Sequence, residues 1–413
     1  MKLYQEISKC RACDCKDIIN VISLGAQHLT GVFPKHKDTD VTKGPLDLVW
    51  CNECYLLQLK QSYSLDEMYG DNYGYRSSLN QSMVGHLRNK VNFLEQFCPL
   101  SPGDLVLDIG SNDATTLKFY TSSGILRVGI DPVGEKFQEY YTEGIELIPE
   151  FFSLEGFRMR FSGKKAKIIT SIAMFYDLES PMDFVRAIAA TLEVDGIWHF
   201  EQSYMPTMLR MNAYDTICHE HLEYYSLTNI ERILKHNGLK VLDLQFNDIN
   251  GGSIAVTAGH ESNDSYSKVM PVLEWIIKQE TDMGLNTPDP YLQFGKRMNG
   301  HKASLVDLLG KLNKNGQRII GYGASTKGNV LLQYCGITKQ DIPFIAEVNE
   351  DKFGAYTPGS LIPIIPEEKA RSMHPDFFFV LPWHFRDSIL AREQEFMSNG
   401  GKFIFPLPYI DIV

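Results

Sequence analysis

Four cysteines near the start of the chain constrain its fold more than any other feature. They form two Cys-x-x-Cys pairs, Cys10 with Cys13 and Cys51 with Cys54. The two-residue spacing lets both sulfurs of a pair reach one ion, so the pairs together predict a closed, tetrahedral zinc site with a folding role. Cys15 is a competing ligand, but its spacing fits less well. The alternative, a set of ordinary reduced cysteines, is disfavoured because both pairs flank one short module.

The composition excludes several classes of protein. The 413 residues are enough for two or three globular domains. The 40 Lys and Arg against 51 Asp and Glu give a formal net charge of -11, which argues against a protein that coats nucleic acid. The N-terminal residues lack the pattern of a signal peptide, and no apolar run approaches the roughly 18 residues of a membrane span. We therefore expect a cytoplasmic protein without nucleic-acid or membrane partners.

Alternating strand and helix patterns predict a doubly wound α/β unit. Apolar runs at 105–109 and 126–130 indicate buried parallel strands on either side of a helix at 112–121. The same patterns predict further strands at 167–172, 196–201, 240–246 and 253–258, and helices at 182–192 and 229–237.

A second α/β unit is predicted from residue 318, with strands near 344–348 and 377–381. Trp383 and His384 follow the last of these strands, where a pocket can form or where a strand end can pack. The predicted domains are a zinc-ribbon module (1–62), a Rossmann-like domain (63–261), a polar helical connector broken at 286–290 (262–315) and a second Rossmann-like domain (316–413).

The first candidate ligand site lies where the strand at 105–109 turns into a helix. Asp108 precedes the turn, Gly110 lets a ligand approach the backbone, and Asn112 and Asp113 add polar groups. Asp131 ends the next strand, where an acid can bind both hydroxyls of a ribose. The turn lacks the GxGxxG pattern of dinucleotide binding, and its acids suit a ligand with a positive centre such as S-adenosylmethionine. The alternative is a tight turn with a helix-capping Asn112 or Asp113.

A segment with adjacent ionisable residues lies in the middle of the chain, at 214–226. His219, Glu220 and His221 are costly to bury together, and histidine supplies a general base with a pKa near neutrality. We therefore interpret the segment as a catalytic loop. A metal site is disfavoured because two histidines at i and i+2 do not face one way on a helix, and the HExxH spacing is absent. The alternative is a solvated polar turn.

A second glycine turn opens the C-terminal unit at 321–329. Its small residues, the free N–H groups of a helix N-terminus, the Ser325 hydroxyl and the Lys327 amine predict a diphosphate cradle. Glu347, near the end of the next strand, is placed to meet a ribose or sugar hydroxyl. The turn is not a P-loop, since the GxxxxGK[ST] spacing is absent. The alternative is a glycine turn that only packs a helix on a strand.

Taken in order, these motifs resemble the sugar C-methyltransferases that act on nucleotide-linked 4-keto-deoxysugars. The resemblance covers nearly the whole chain. It rests on the two Cys-x-x-Cys pairs, Tyr-x-Tyr-Arg-Ser-Ser from residue 73, Asp-Ile-Gly-Ser-Asn-Asp from residue 108, Glu-His at 220 and 221, Asn-Gly-Gly-Ser from residue 250, and Gly-Tyr-Gly-Ala-Ser-Thr-Lys-Gly from residue 321. As an ordered set these motifs are far more specific than any one of them.

The resemblance implies that the first α/β domain binds S-adenosylmethionine, that the second holds a nucleoside diphosphate, and that the keto-sugar lies between them. It implies that His221 is the base, with Glu220 beside it and Tyr75 completing the sugar pocket. The implied ligands of the methyl donor are Asp108, Gly110, Asn112, Asp113 and Asp131. The implied ligands of the nucleotide sugar are Tyr73, Tyr224, Tyr322, Ser325, Lys327 and Glu347. The implied cofactors are S-adenosylmethionine and a structural zinc ion.

At three positions the sequence departs from the family pattern. Cys218 replaces the tyrosine expected before x-Glu-His, Tyr176 replaces a histidine, and Ala114 replaces a glycine. Cys218 and Tyr176 therefore belong to the candidate catalytic set, and the substrate and the stereochemistry stay open.

The mechanistic hypothesis is methylation of a carbon acid. The 4-keto group acidifies the proton on C3, His221 removes it, and Tyr75 or Tyr176 stabilises the enediolate oxygen before the carbon attacks the donor methyl group. A methyltransferase that acts on a hydroxyl or on another carbon would use the same base and pockets. A non-catalytic nucleotide-sugar-binding protein is the rival from another class, and the ionisable segment weighs against it.

Overall fold

The structure is a computed structural model that describes residues 4–68, 75–266 and 270–413. It contains a small antiparallel module, two α/β domains and a pair of helices that connect them. The predicted fold class is confirmed. No helix in these ranges is both long enough and apolar enough to cross a bilayer.

The N-terminal module, here the zinc module, is built mainly from antiparallel strands. Its elements are β1 (Tyr4–Glu6), β2 (Ile18–His28), β3 (Lys43–Cys51), β4 (Leu57–Leu59), β5 (Gln61–Tyr63) and α1 (Leu65–Met68). β2, β3 and β4 pair in one antiparallel sheet, and β1 pairs with β5. The first Cys-x-x-Cys pair precedes β2 and the second spans the turn from β3 to β4, so the sheet brings the two pairs together.

The four predicted zinc ligands converge. Their sulfurs all lie within 4.8 Å of one another, with Cys10 Sγ 3.5 Å from Cys54 Sγ and Cys13 Sγ 3.6 Å from Cys51 Sγ. A tetrahedron with Zn–S distances of about 2.3 Å separates its sulfurs by about 3.8 Å, so these thiolates fit a zinc ion. Cys15 Sγ is outside the group and accepts a hydrogen bond from a backbone N–H at 3.4 Å.

The first α/β domain contains a seven-stranded sheet in the order β12-β13-β10-β9-β6-β7-β8. Its five strands from β10 to β8 are parallel, and β13 runs antiparallel to both β10 and β12. The elements are α2 (Gln81–Phe97), β6 (Leu105–Ile109), α3 (Thr115–Lys118), β7 (Leu126–Ile130), β8 (Ile145–Ile148), α4 (Leu154–Arg160), β9 (Ala166–Ile172), α5 (Pro181–Thr191), β10 (Leu192–Ser203), α6 (Met205–Arg210), β11 (Glu223–Tyr224), α7 (Leu227–His236), β12 (Leu239–Asn247) and β13 (Ser253–His260).

This domain differs from the prediction in several places, which include α6, β11 and the following two. The helix predicted at 112–121 is reduced to the four residues of α3, because Asn112 and Ala114 have φ values of 48° and 59° and the chain is not helical there. β8 and α4 lie between residues 131 and 166, where no element was predicted.

The connector and the second α/β domain complete the chain. The second sheet has the order β16-β15-β14-β17-β18-β19, parallel except for β19. The elements are α8 (Met270–Asp282), α9 (Asp289–Lys314), β14 (Ile319–Tyr322), α10 (Thr326–Cys335), β15 (Ile345–Glu347), β16 (Ile364–Pro366), α11 (Glu367–Ser372), β17 (Phe377–Val380), α12 (Arg386–Arg392), α13 (Gln394–Ser398), β18 (Lys402–Phe405) and β19 (Asp411–Ile412). Short 3₁₀ helices lie at Ser77–Leu79, Gly134–Tyr140, Phe175–Asp177, Tyr214–Thr216, Ile249–Gly251, Glu350–Lys352 and Trp383–Phe385.

The inner strands of both sheets are almost entirely apolar. Every residue of β6 and of β17 is buried, as expected for parallel strands covered on both faces. In parallel sheets of this kind, ligands bind at the turns that follow the carboxyl ends of the strands.

The zinc module contacts both α/β domains. β11 of the first domain pairs antiparallel with β4, which extends the sheet of the module. The side chain of Asn329 in α10 donates to the carbonyl of Thr30 at 2.8 Å. Gln333, one turn later, accepts from the N–H of His28 at 2.8 Å and donates to its carbonyl at 3.1 Å. The module thus fixes the two domains to each other.

Cys51→Ser should remove the zinc ion and lower the melting temperature by on the order of 10 °C, because a structural zinc site supplies folding free energy that a three-thiolate site does not. Zinc content by elemental analysis and thermal unfolding measure this. The matched control is Cys15→Ser, which should retain about one zinc per chain. Zinc retention by Cys51→Ser, or zinc loss by Cys15→Ser, would contradict the assignment of the ligands.

Candidate active site

A glycine turn follows the first strand of each α/β domain. Gly110 follows β6 with φ +76°, and a Cβ there would lie 3.2 Å from Met174 Cγ. Gly323 follows β14 with φ +78°, and a Cβ there would lie 2.7 Å from Pro382 Cγ. Both positions favour glycine for its conformation and for the close approach of neighbours. Residues 110–114 form the first turn, and residues 323–327 form the second turn.

In each domain an acid at the end of the neighbouring strand closes the turn. Asp131 accepts from the N–H of Asn112 at 2.7 Å and from that of Val133 at 2.8 Å. Glu347 accepts from the N–H of Ala324 at 2.8 Å and from the next two N–H groups of its own chain at 2.7 and 2.9 Å. The two acids predicted to bind ribose or sugar hydroxyls thus hold their turns in shape, a role that the sequence did not reveal.

Asp108 lies beneath the first turn and is almost fully buried. Its Oδ1 accepts a hydrogen bond from Thr170 Oγ1 at 2.5 Å. Burial raises the pKa of Asp108 to about 7, and the hydroxyl of Thr170 opposes this shift. A cationic ligand nearby would favour the ionised form, so this acid suits the positive sulfonium predicted here.

The segment at 75–79 lies against the first turn. Asn112 Oδ1 accepts from the N–H of Ser77 at 3.0 Å, and Asn112 Nδ2 donates to the carbonyl of Tyr75 at 3.2 Å. Asp113 Oδ2 accepts from the N–H of Ser78 at 3.0 Å. The side chain of Tyr75 is 49% exposed. Asn112 and Asp113 therefore hold the segment at 75–79 beside the first turn. Tyr73 lies outside the described residues.

Two predicted substrate ligands of the second domain have structural partners. The Tyr322 hydroxyl donates to Glu393 Oε1 at 2.9 Å and accepts from Arg392, and its ring packs against Phe378. Ser325 is the N-cap of α10, with its hydroxyl accepting from the backbone N–H three residues later at 3.0 Å. These contacts turn Tyr322 toward the interior of its domain, whereas Ser325 shapes the second turn.

The central loop, residues 214–222, holds His221 in one tautomer. His221 Nδ1 lies 2.7 Å from the carbonyl oxygen of Thr216. A carbonyl can only accept, so Nδ1 carries the proton, and Nε2 of the neutral ring keeps its lone pair. Burial, followed by the charge of Lys327, lowers the pKa of His221 to about 3. The ring centroid of Tyr176 lies 4.2 Å from that of His221. The geometry is that of a neutral base with one free nitrogen.

His219, two residues earlier, has different surroundings. It is fully buried, with Nδ1 3.5 Å from Thr30 Oγ1 and Nε2 3.3 Å from the carbonyl oxygen of Gln27. The ring of Tyr63 contacts its edge at a centroid distance of 4.7 Å. His219 thus anchors the central loop on the zinc module, and the two histidines do not face one ligand.

Lys327 brings a cation to the central loop. Its Nζ donates to the carbonyl of Asn250 at 2.6 Å. Burial lowers the pKa of Lys327, which the Asp215 carboxylate partly offsets. The charge of Lys327 in turn helps to lower the pKa of His221 and of His384. The predicted nucleotide ligand and the predicted base therefore lie close enough to interact electrostatically.

Glu220 lies where all three parts of the chain meet. A Cβ on Gly31 of the zinc module would lie 2.5 Å from Glu220 Oε1 and 3.8 Å from Thr326 Oγ1 of the second turn. Burial raises the pKa of Glu220, and a hydrogen bond from the thiol of Cys218 opposes that. Within the described ranges, Glu220 Oε2 and the hydroxyl of Tyr224 have no hydrogen-bond partner. Buried groups of this kind usually have a partner, and a polar ligand would supply one.

Three further residues near Lys327, namely Asp215, Trp383 and His384, had no role assigned to them from the sequence. Trp383 Nε1 donates to Asp215 Oδ2 at 2.7 Å, and Asp215 is almost fully buried. Among the described residues, His384 Nδ1 and Asp215 Oδ1 have no hydrogen-bond partner. Trp383 and His384 follow the carboxyl end of β17, where ligand-binding groups gather in parallel sheets. That position was the available signal, and it did not distinguish a pocket from a packed strand end.

Comparison with protein families matches three consecutive parts of the chain. Residues 10–69 match a zinc binding domain, residues 83–244 a methyltransferase domain, and residues 248–408 a C-methyltransferase C-terminal domain. The C-methyltransferase NovU of Streptomyces niveus is 32% identical over 409 residues, which cover 98% of this chain and 97% of that protein.

Solved structures match part of the chain at low similarity. The mitomycin 7-O-methyltransferase MmcR covers 44% of this chain and 55% of its own, with 14% identity and a TM-score of 0.35. The magnesium protoporphyrin IX methyltransferase ChlM of Synechocystis PCC 6803 covers 46% of this chain and 90% of its own, with 17% identity and a TM-score of 0.33. At these scores the likeness adds nothing to the assignment.

The converging thiolates, the two glycine turns and the matched domains define an S-adenosylmethionine-dependent methyltransferase with an N-terminal zinc-binding domain. The chain belongs to the C-methyltransferase family, since the relation to NovU extends over almost its full length. The predicted family, enzyme class and cofactors are therefore confirmed. Carbon rather than hydroxyl oxygen is the acceptor that this family favours, and a non-catalytic binder is disfavoured.

Lys327→Met should raise the pKa of His221, because removal of a nearby cation makes protonation of the imidazole easier. The measurement is an NMR titration of the ¹⁵N-labelled histidines, with His221 assigned by its loss in a His221→Asn variant. The wild-type His221 should stay neutral down to about pH 5, whereas the variant should begin to titrate above that pH.

The matched control for this titration is Lys352→Met. Lys352 Nζ donates to the carbonyl of Ala324 in the second turn at 2.8 Å, but its charge does not contribute to the pKa shift of His221. Equal titration curves for His221 in the two variants would contradict the electrostatic contact between Lys327 and His221.

Proposed function

We propose that this enzyme transfers a methyl group from S-adenosylmethionine to C3 of a 4-keto-deoxysugar linked to a nucleoside diphosphate. His221 acts as the base, the first turn holds the methyl donor, and Lys327 of the second turn holds the diphosphate. The observation that carries the proposal is the electrostatic interaction of Lys327, from the second α/β domain, with the neutral, hydrogen-bonded His221 of the first.

The charge of the cleft supports an anionic substrate. Lys327 is a partly buried cation whose Nζ donates a hydrogen bond to a backbone carbonyl. The Asp215 carboxylate interacts with it electrostatically and raises its pKa, against the effect of burial. A diphosphate carries more negative charge than one carboxylate and gains from a desolvated ammonium. Binding of the diphosphate would also offset the effect of Lys327 on His221 and thereby strengthen the base.

The unpartnered polar atoms of the cleft support a sugar. Glu220 Oε2, Asp215 Oδ1, His384 Nδ1 and the hydroxyl of Tyr224 have no hydrogen-bond partner in the described part of the chain. Glu220, His221, Lys327 and His384 are each partly exposed, whereas most residues around them are buried. A deoxysugar with its hydroxyls and ring oxygen offers the donors and acceptors that these groups lack.

In the proposed reaction His221 Nε2 accepts the proton from C3 as the electron pair of that C–H bond moves toward the carbonyl, which gives an enediolate. The hydrogen bond from Nδ1 to Thr216 keeps the ring aligned and stabilises the imidazolium that forms. The ring of Tyr176 lies against His221, which supports Tyr176 as the residue that stabilises the developing oxyanion, with Tyr75 as a second candidate.

In the second step of the proposed reaction, the methyl group is transferred to C3. S-adenosylmethionine supplies an electrophilic methyl group on a positively charged sulfur. The new C3–carbon bond forms as the sulfur–methyl bond breaks, which releases S-adenosylhomocysteine, and His221 returns its proton to solvent. Cys218 lies fully buried beside Glu220, and we assign it to the wall of the sugar pocket.

The direct test uses methyl-¹³C-labelled S-adenosylmethionine and a panel of nucleoside-diphosphate-linked 4-keto-6-deoxyhexoses. NMR of the product should show the labelled methyl group on C3. A methyl group on oxygen or on C5, or no product from any member of the panel with a folded, zinc-loaded enzyme, would overturn the proposal.

His221→Asn should lower turnover by about 100- to 10,000-fold, the range expected for loss of a general base. The affinity for S-adenosylhomocysteine should stay within about twofold, because the contacts of His221 in the described part of the chain are to Thr216 and Tyr176 and include no hydrogen bond to the first turn. Steady-state kinetics and calorimetric titration measure the two quantities.

His236→Asn is the matched control, since His236 is exposed at the end of α7. Its turnover should equal that of the wild type. Turnover near the wild-type value in a folded His221→Asn variant would exclude His221 as the base.

A further inference from the structure

Besides the contact of 3.4 Å between the Tyr214 hydroxyl and Cys335 Sγ, two polar contacts connect the second α/β domain to the chain segments around the base. The first is the hydrogen bond from Trp383 Nε1 to Asp215 Oδ2 at 2.7 Å. The second is the hydrogen bond from Lys327 Nζ to the carbonyl of Asn250 at 2.6 Å. Lys327 has a proposed role in binding the substrate, whereas the function described above gives no role to Trp383.

Asp215 belongs to the same short element that holds the base. Residues 214–216 form a single 3₁₀ turn, and the carbonyl of Thr216 fixes Nδ1 of His221. A shift of Asp215 therefore moves the neighbouring carbonyl that selects the tautomer of the imidazole. The accuracy needed for catalytic groups is on the order of 0.5 Å, so a small shift is enough to matter.

The surroundings of Trp383 hold its ring in place. A Cβ on Gly251 would lie 3.2 Å from two atoms of that ring, so the turn at 249–252 packs directly on it. Trp383 and Asp215 are both buried, and their hydrogen bond joins residues 168 positions apart in the chain. A buried hydrogen bond to a carboxylate is among the stronger polar contacts in proteins.

We propose that Trp383 is a positioning residue, which holds the 214–216 turn through Asp215 and thereby makes the placement of His221 depend on the docking of the second α/β domain. The second domain then has two tasks, to hold the nucleotide and to complete the catalytic loop of the first domain. This inference rests on the proposed role of His221 as the base.

The test is a double-mutant cycle with Trp383→Phe, Asp215→Ala and the double variant. Trp383→Phe keeps an aromatic ring in place but removes the donor. It should lower kcat by about 10- to 100-fold, while the KM for the nucleotide sugar and the affinity for S-adenosylhomocysteine change by less than about threefold. The double variant should be no more than about twofold worse than Asp215→Ala alone, because both changes break the same contact.

The matched control is Trp275→Phe, the same substitution at a tryptophan that is 62% exposed on α8. It should leave all three quantities unchanged. Asp215→Asn keeps an oxygen that accepts from Trp383 and should retain more activity than Asp215→Ala. Wild-type kcat in Trp383→Phe, or losses that multiply in the double variant, would overturn the proposal.

Hydrogen exchange in the protein without substrate tests the role of Trp383 independently of the proposed substrate. In ¹⁵N-labelled wild-type protein, the Nδ1–H of His221 should give a signal that exchanges slowly with water, because it is hydrogen-bonded to the Thr216 carbonyl. Trp383→Phe should increase its exchange rate at least about tenfold, and Trp275→Phe should not. An unchanged rate in Trp383→Phe contradicts the positioning role whatever the substrate, whereas absence of turnover in the wild type contradicts only the substrate proposal.

Discussion

Ligation of zinc by four thiolates is the interaction on which the rest of the structure depends. The zinc module is a small antiparallel unit, so the metal supplies the folding free energy that a larger core would otherwise provide. Once folded, the module pairs β4 with β11 of the first α/β domain and accepts hydrogen bonds from α10 of the second. His219 is anchored on its surface. The site therefore depends on a metal that takes no part in the chemistry.

Under the proposed mechanism, the surroundings of His221 prepare it to accept a proton before the substrate binds. Burial and the charge of Lys327 keep His221 neutral, and the Thr216 carbonyl selects the tautomer with a free Nε2. A bound diphosphate compensates the charge of Lys327, so we expect His221 to become a stronger base only in the complex. In the first domain, burial raises the pKa of Asp108 to about 7, which leaves it responsive to a cationic ligand. Under the proposed assignment, the charge of each site thus suits its ligand.

The sequence was sufficient to predict features that depend on the pattern of residues within a short segment. Two-residue cysteine spacing, apolar strand runs and glycine turns predicted the zinc site and both sheets, because each depends on neighbours in the chain. The partners of buried polar groups could not be predicted in this way. The use of Asp131 and Glu347 to close their turns, the burial of the Tyr322 hydroxyl against Glu393 and the Trp383 contact to Asp215 all arise from packing between distant segments. β11 could not be predicted either, because it is a strand only through its pairing with the distant β4.

The central claim is that a base removes a proton from C3 before the methyl group is transferred. The most direct measurement is deuterium uptake from heavy water at C3 of a nucleoside-diphosphate-linked 4-keto-6-deoxyhexose, with S-adenosylhomocysteine bound in place of the methyl donor. The account predicts that the wild-type enzyme exchanges the C3 hydrogen and that His221→Asn does not. Exchange at C5 alone, or equal exchange at C3 in the variant, would contradict it.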